Sequence, residues 1–253
     1  MKHFFRKVRV ALTPRGWLLP ARLANGAVVY GRNRAGYGGR AIYIYRDAQE
    51  PELEQLEKFL TPGGVFADIG GNTGMFTVKA AQFFRNHGGG TVITFEPLPE
   101  MLAILEKNLT ANGFENVRLR SFCLGETPGA AEFWINFNRP ASSSLVSHDA
   151  GATRISTMVF RFDDVFPLEK LGRLDYVKMD VEGAEAQVIA GARATLEKFR
   201  PIIQLETGHE DAALNLPRYT EWQSPGGPNK VCIPDESDKN ETARQLGWQR
   251  LKQ

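Results

Sequence analysis

The sequence predicts an α/β chain whose mostly parallel sheet is covered by helices and preceded by a small N-terminal β extension. Three observations predict it: short apolar runs alternate with amphipathic segments, Gly and Pro breaks separate them, and a glycine-rich turn follows a fully apolar run. At 253 residues and 42% hydrophobic, the chain has material for one sizeable core. Residues 1–50 are expected to pack on that core through short strands, and residues 51–253 to form the main domain.

Residues 26–33 (GAVVYGRN) and 40–47 (RAIYIYRD) predict strands, because β-branched and aromatic residues cluster between glycine-rich breaks. Residues 50–60 carry leucines and Phe59 at helical spacing, and Pro62-Gly63-Gly64 ends that helix. VFADI (65–69) is a short apolar run of the kind buried in a parallel sheet. A helix (74–84), a strand (91–96), a helix closed by Gly113 (98–113) and a strand (117–124) follow. Such alternation implies right-handed crossovers. Residues 130–137 and 155–164 predict paired strands around a long polar loop. The alternation then resumes with a strand (174–180), a helix (184–199) and a strand (200–206). Residues 217–230 predict a turn-rich connection, followed by strands at 230–234 and 247–252.

The charge is nearly balanced, 31 basic against 29 acidic residues, and the bases read as scattered, so no nucleic-acid partner is expected. Cys123 and Cys232 are too few and too distant for a disulfide framework or a zinc site. With no apolar stretch of signal-peptide or membrane-span length, the expected location is cytoplasmic. Phe4, Phe5, Val8 and Leu12 could line one face of a basic amphipathic segment touching a membrane surface or a partner. The simpler expectation is an ordinary packing or fraying segment.

The loop Gly70-Gly71-Asn72-Thr73-Gly74 lacks the G-x-G-x-x-G spacing of a dinucleotide site and the Lys-Ser/Thr of a P-loop. Asp68 before it would repel a pyrophosphate and suits an ammonium group. Glu96, at the end of the next predicted strand, suits the two hydroxyls of an unmodified ribose. Together they outline a zwitterionic ribonucleoside such as S-adenosylmethionine. Each residue alone also has a purely structural explanation: glycines for a tight turn and packing, Asp68 as a helix cap.

The segments FADIGGNTGMFT, FEPLP, CLGETPG with SSSL beyond it, and VKMDVEGAEAQVIAGA, in this order, resemble the FkbM family of class I S-adenosylmethionine-dependent methyltransferases. The resemblance spans roughly residues 26–206 and implies a Rossmann-like, seven-stranded sheet. Gly71 departs from it, because the family commonly has alanine there. The resemblance implies that Asp68, Gly70, Gly71, Asn72, Thr73 and Gly74 surround the methionine portion of the cofactor, that Glu96 with Pro97 holds the ribose, and that Cys123 and Leu124 face the adenine.

Asp180 and Glu182 follow one predicted strand; Glu206 and His209 follow the next. Asp180 is the first choice beside the transferred methyl, orienting the acceptor or contacting the cofactor. Glu206 and Glu182 suit hydroxyl recognition, and His209 has a pKa suited to a general base. Ser143, Ser144 and Trp222 are expected near the acceptor, Trp222 by stacking on a sugar face. No metal is expected; a minor alternative places a divalent ion on Asp180, Glu206 and His209. The expected function is O-methylation of a sugar, glycan or secondary-metabolite hydroxyl. The alternatives are an NAD-type oxidoreductase and a non-catalytic cofactor-binding scaffold. A homo-oligomer is compatible with the sequence.

Overall fold

The computed structural model describes residues 2–34, 37–136, 143, 145, 152–206 and 217–251. Helix α1 (Lys2–Leu12) leads into a hairpin of β1 (Leu18–Arg22) and β2 (Val28–Arg32), antiparallel with Leu18 opposite Arg32. Next come α2 (Gly39–Tyr45) and α3 (Pro51–Gln55). Residues 40–45, expected as a strand, are therefore a helix. Its start lies against β2 so closely that a Cβ on Gly39 would sit 2.3 Å from the Gly31 carbonyl carbon. That backbone contact overrides the β propensity of Ile42, Tyr43 and Ile44.

The central layer begins with β3 (Val65–Ile69), every residue of which is buried, then α4 (Met75–Asn86), β4 (Thr91–Phe95), α5 (Pro99–Asn112) and β5 (Val117–Arg120). Gly113, in the left-handed conformation at φ 62°, ends α5 as expected. Strand β6 (Cys123–Leu124) leaves this layer and pairs with β8 (Thr153–Phe160), which also pairs antiparallel with β7 (Gly129–Ile135). The predicted single strand over 117–124 is thus two strands in two sheets.

Helix α6 (Phe162–Val165) precedes β9 (Tyr176–Met179), α7 (Glu185–Gly191), α8 (Arg193–Phe199) and β10 (Ile202–Glu206). The predicted helix over 184–199 breaks at Ala192, where Asp163 accepts the Ala194 and Thr195 N–H groups and caps the second helix. The chain closes with β11 (Tyr219–Gln223), β12 (Asn229–Pro234), α9 (Lys239–Gln245) and β13 (Gln249–Arg250). Residues 219–223, expected within a connection, form a strand.

The main sheet runs β13-β11-β12-β10-β9-β3-β4-β5. Strands β5, β4, β3, β9 and β10 are parallel, and β12 joins β10 antiparallel. This is the Rossmann-like arrangement, with the expected seven strands plus the two-residue edge strand β13. Chain order reverses between β3 and β9, so the ends of β3, β4 and β9 frame the switch-point crevice.

The β1–β2 hairpin is fastened to this layer by two asparagines one turn apart on α5. Asn108 accepts the Tyr30 N–H at 2.7 Å and donates to the Tyr30 carbonyl at 3.0 Å; Asn112 does the same to Val28, at 2.8 and 2.7 Å. The two amides act as a surrogate neighbouring strand for β2. Asn108 is fully buried and also donates to the Thr73 carbonyl in the glycine loop at 2.7 Å. Asn108→Ala is expected to lower unfolding free energy by about 3 kcal/mol, because several buried groups lose their partner at once. An unchanged denaturant midpoint would remove this anchor from the account.

Candidate active site

The glycine loop is shaped by contacts beneath it. Gly70 and Gly74 adopt φ of 80° and 88°, and Asn72 adopts 50°. The N–H groups of Gly70 and Gly71 both donate to the Phe95 carbonyl, at 2.9 and 3.0 Å. A Cβ on Gly70 would lie 1.9 Å from the Asp180 carbonyl oxygen, so only glycine lets β3 and β9 end side by side here. The Gly71 departure has a local cause: the Thr94 hydroxyl stands 2.2 Å from where an alanine methyl would go.

Asp68 is fully buried under this loop, accepting the Thr77 hydroxyl at 2.6 Å, and its carboxylate does not line the cleft. The ammonium that stands beside Asp68 in the structure is one of the chain itself. Lys178, paired with Asp68 across β3 and β9, brings Nζ to 4.0 Å from Asp68 and 2.9 Å from Asp180, and lies over the Phe76 ring. Burial opposes the lysine charge, but Asp180, Asp68 and Glu50 overcome it and hold its pKa above the ordinary value. Burial in turn raises Asp68, offset in part by Lys178 and Thr77. Lys178 and Glu50 both line the cleft and were missed from sequence. A charged residue inside the buried run YVKM was the available signal; Glu50, ahead of Pro51, offers none.

The cleft encloses about 230 Å³, room for a nucleoside-sized group. At one side Glu96 accepts the N–H groups of Asn72 and Leu98 at 2.7 and 2.8 Å, which fixes its carboxylate in place. Burial pushes its pKa up to about 7 against the pull of those two donors. Pro97, Leu98, Phe122, Cys123, Leu124 and Phe133 continue the wall as an apolar slot. Burial pushes the Cys123 thiol up to about 12, so it stays a neutral wall group; both cysteines are free.

At the other side, carboxylate oxygens of Asp180, Glu182 and Glu206 lie within 4.8 Å of one another. Burial, followed by Asp180 and Glu182, raises Glu206 to about 8. Its Oε2 is buried with no hydrogen-bond partner among the described residues. Glu185, by contrast, turns inward and accepts the Val181 N–H at 3.0 Å, a structural role. Ser143 lines the cleft and accepts the Asn136 N–H at 3.1 Å. Ser144 and His209 lie outside the described residues.

Trp222 is corrected by the structure. It is buried in the core, and its indole N–H donates to Asn240 at 2.8 Å. Strand β11 turns it toward α9, and it does not line the cleft.

Residues 68–222 match the model of the methyltransferase FkbM domain. The chain belongs to the FkbM methyltransferase family. Among its relatives, 31-O-demethyl-FK506 methyltransferase FkbM of Streptomyces tacrolimicus is 26% identical over 76% of this chain and 83% of its own. Methyltransferase sdnD of Sordaria araneosa is 26% identical over 60% of this chain and 68% of its own. A solved FkbM methyltransferase from Methylobacillus flagellatus aligns with TM-score 0.48 at 16% identity, over 77% of this chain and 53% of that one.

This FkbM-family chain is thus an S-adenosylmethionine-dependent methyltransferase, and the oxidoreductase and scaffold alternatives fall. The donor set fits the cofactor: a backbone-fixed carboxylate at Glu96, an apolar slot for a heterocycle, and the Lys178–Asp180 pair for a zwitterionic end. No helix among the described residues is long and apolar enough to cross a membrane.

Glu96→Ala is expected to weaken S-adenosylmethionine binding by about 1–3 kcal/mol, read by titration calorimetry, through lost charge-assisted hydrogen bonds and a loosened loop. Affinity should also strengthen as pH rises through about 7, where Glu96 ionises. Unaltered affinity in the variant would place the ribose elsewhere.

Proposed function

We propose that this methyltransferase acts on a hydroxyl of a small polyhydroxylated acceptor, a sugar or a comparable metabolite, and that Glu206 takes the hydroxyl proton. The observation that carries this reading is the convergence of Asp180, Glu182 and Glu206 at the rim of the cofactor cleft, with Glu206 raised to about 8. Carboxylates are strong acceptors for hydroxyl donors. The same acids, with Glu50 also lining the cleft, would repel a phosphodiester backbone, which supports a small acceptor over nucleic acid. The name of the Streptomyces relative, a 31-O-demethyl-FK506 methyltransferase, supports an oxygen nucleophile.

When bound, the cofactor supplies an electrophilic methyl on a sulfonium. The chain's residues supply alignment and proton removal. Lys178 keeps Asp180 turned beside the cleft through their 2.9 Å contact, so Asp180 orients the acceptor hydroxyl. Glu206 would accept the hydroxyl proton as the acceptor oxygen takes the methyl group, which leaves that proton on the chain. In the resting site the crowding of three carboxylates is relieved by the proton that Glu206 retains below its raised pKa and must release before it acts as base, so we assign the trio no resident metal. Residues 1–50 contribute to the same site, because Gly38, Ile42 and Glu50 form part of its wall. We therefore propose that they are a structural extension of one catalytic unit.

The reading is tested by incubating the enzyme with methyl-labelled S-adenosylmethionine and a panel of sugars and polyols, with and without chelator. Ether-linked label on an acceptor, unaffected by chelation, is the expected result. Labelled amine, or activity restored only by added magnesium, would overturn the acceptor or the metal assignment respectively.

Burial, followed by the neighbouring Asp180 and Glu182, makes Glu206 hold its proton to a higher pH than an ordinary carboxyl, up to about 8. As general base it should therefore make kcat/KM rise with pH through that range, and Glu206→Gln should remove this limb and slow turnover by roughly 10²-fold. A rate that instead falls across the range would make Glu206 a hydrogen-bond donor.

A further inference from the structure

We propose that α1 is a membrane-docking helix that holds this enzyme on an anionic lipid surface beside its active-site cleft. At helical spacing Phe4, Phe5, Val8 and Leu12 fall within an arc of about 100°. All are exposed, Phe4 at 66%, Phe5 at 65% and Leu12 at 80%, and Trp17, just beyond the helix, is exposed at 64%. Five of the eight exposed large hydrophobics among the described residues thus lie in the first 17 positions. The opposite face is the one that packs: Val10 joins Leu19, Tyr43 and Ile44, and Arg6 donates to the Ile44 carbonyl at 2.6 Å. The helix is therefore seated on α2 with its apolar side turned outward. Lys7 and Arg9, both exposed, flank that side.

Charge selects the partner. Ten of the 31 Lys and Arg precede Asp47, which is the first of the 29 acidic residues. Residues 1–46 therefore carry +10, while residues 47–253 carry 21 bases against 29 acids, a net of −8. The near-neutral total conceals this division, and the bases are not scattered as the sequence first suggested. Exposed bases such as Lys7 and Arg9 beside aromatic and aliphatic side chains match anionic headgroups with acyl chains below them. An RNA or an acidic protein would match the bases but leave Phe4, Val8 and Leu12 without an apolar environment. Helix α2 joins the two surfaces, since Tyr43 and Ile44 meet α1 while Ile42 lines the cleft.

The full chain should be sedimented with vesicles of phosphatidylcholine alone and of phosphatidylcholine mixed with phosphatidylglycerol. Binding at least about tenfold tighter to the mixed vesicles, weakened by salt, is expected. Phe5→Ser with Leu12→Ser should reduce that partition at least about tenfold, and Lys7→Gln should reduce it severalfold, at unchanged melting temperature. Equal binding to neutral vesicles, no vesicle binding, or full binding by the double variant would overturn the proposal. So would self-association, or RNA binding, that the same variants abolish while vesicle binding is absent.

Discussion

The buried ammonium of Lys178 is the constraint around which this molecule is arranged. A lysine on a central strand carries a desolvation cost of several kcal/mol unless acids surround it. Asp68 comes from the adjacent strand, Asp180 from the end of its own strand and Glu50 from the start of α3, while the Phe76 ring closes the remaining side. Three separate segments are thereby held to one point. That point is the switch between β3 and β9, where the fold leaves its crevice. The glycine at position 70 belongs to the same constraint, since a side chain there would collide with the backbone of Asp180 and part the two strands.

From this centre the cleft acquires two unlike sides. Toward Glu96 the groups are fixed by backbone N–H donors and the wall is apolar; toward Asp180 they are fixed by charge and crowd together. One side suits recognition of a heterocycle and ribose, the other suits handling a proton. The N-terminal extension completes the enclosure. Asn108 ties β2 to the glycine loop through Thr73, the Tyr37 hydroxyl donates to Glu100 on the same helix, and the buried Lys79–Asp47 pair, 2.7 Å apart, fastens the segment leading to Glu50. Disturbing the hairpin should consequently reach the cofactor loop.

Much of this was legible in the sequence because buried parallel strands are apolar throughout and the segments between them keep helical spacing. VFADI, TVITF and YVKM each end in a functional acid or its neighbour. Local pattern failed where a distant contact decided the outcome. Residues 40–45 carry strand-like composition, but the Gly31–Gly39 approach made them helical. Residues 219–223 look like a linker because proline and glycine punctuate both ends, yet pairing with β12 makes them a strand and buries Trp222. Asp68 and Lys178 could not be assigned to each other from sequence, since 110 positions separate them and only the β3–β9 register brings them opposite.

The charge division gives the molecule an orientation as well as a surface. A body of net −8 is repelled by an anionic membrane, whereas α1 and the hairpin behind it are attracted. Apolar insertion alone would tolerate many tilts, but the opposing charges favour approach through α1 and disfavour approach through the acid-rich remainder. Helix α2 lies between α1 and the cleft, packing on Val10 through Tyr43 and Ile44 and lining the cleft with Ile42, so an approach through α1 is made from the side of the cleft that α2 walls.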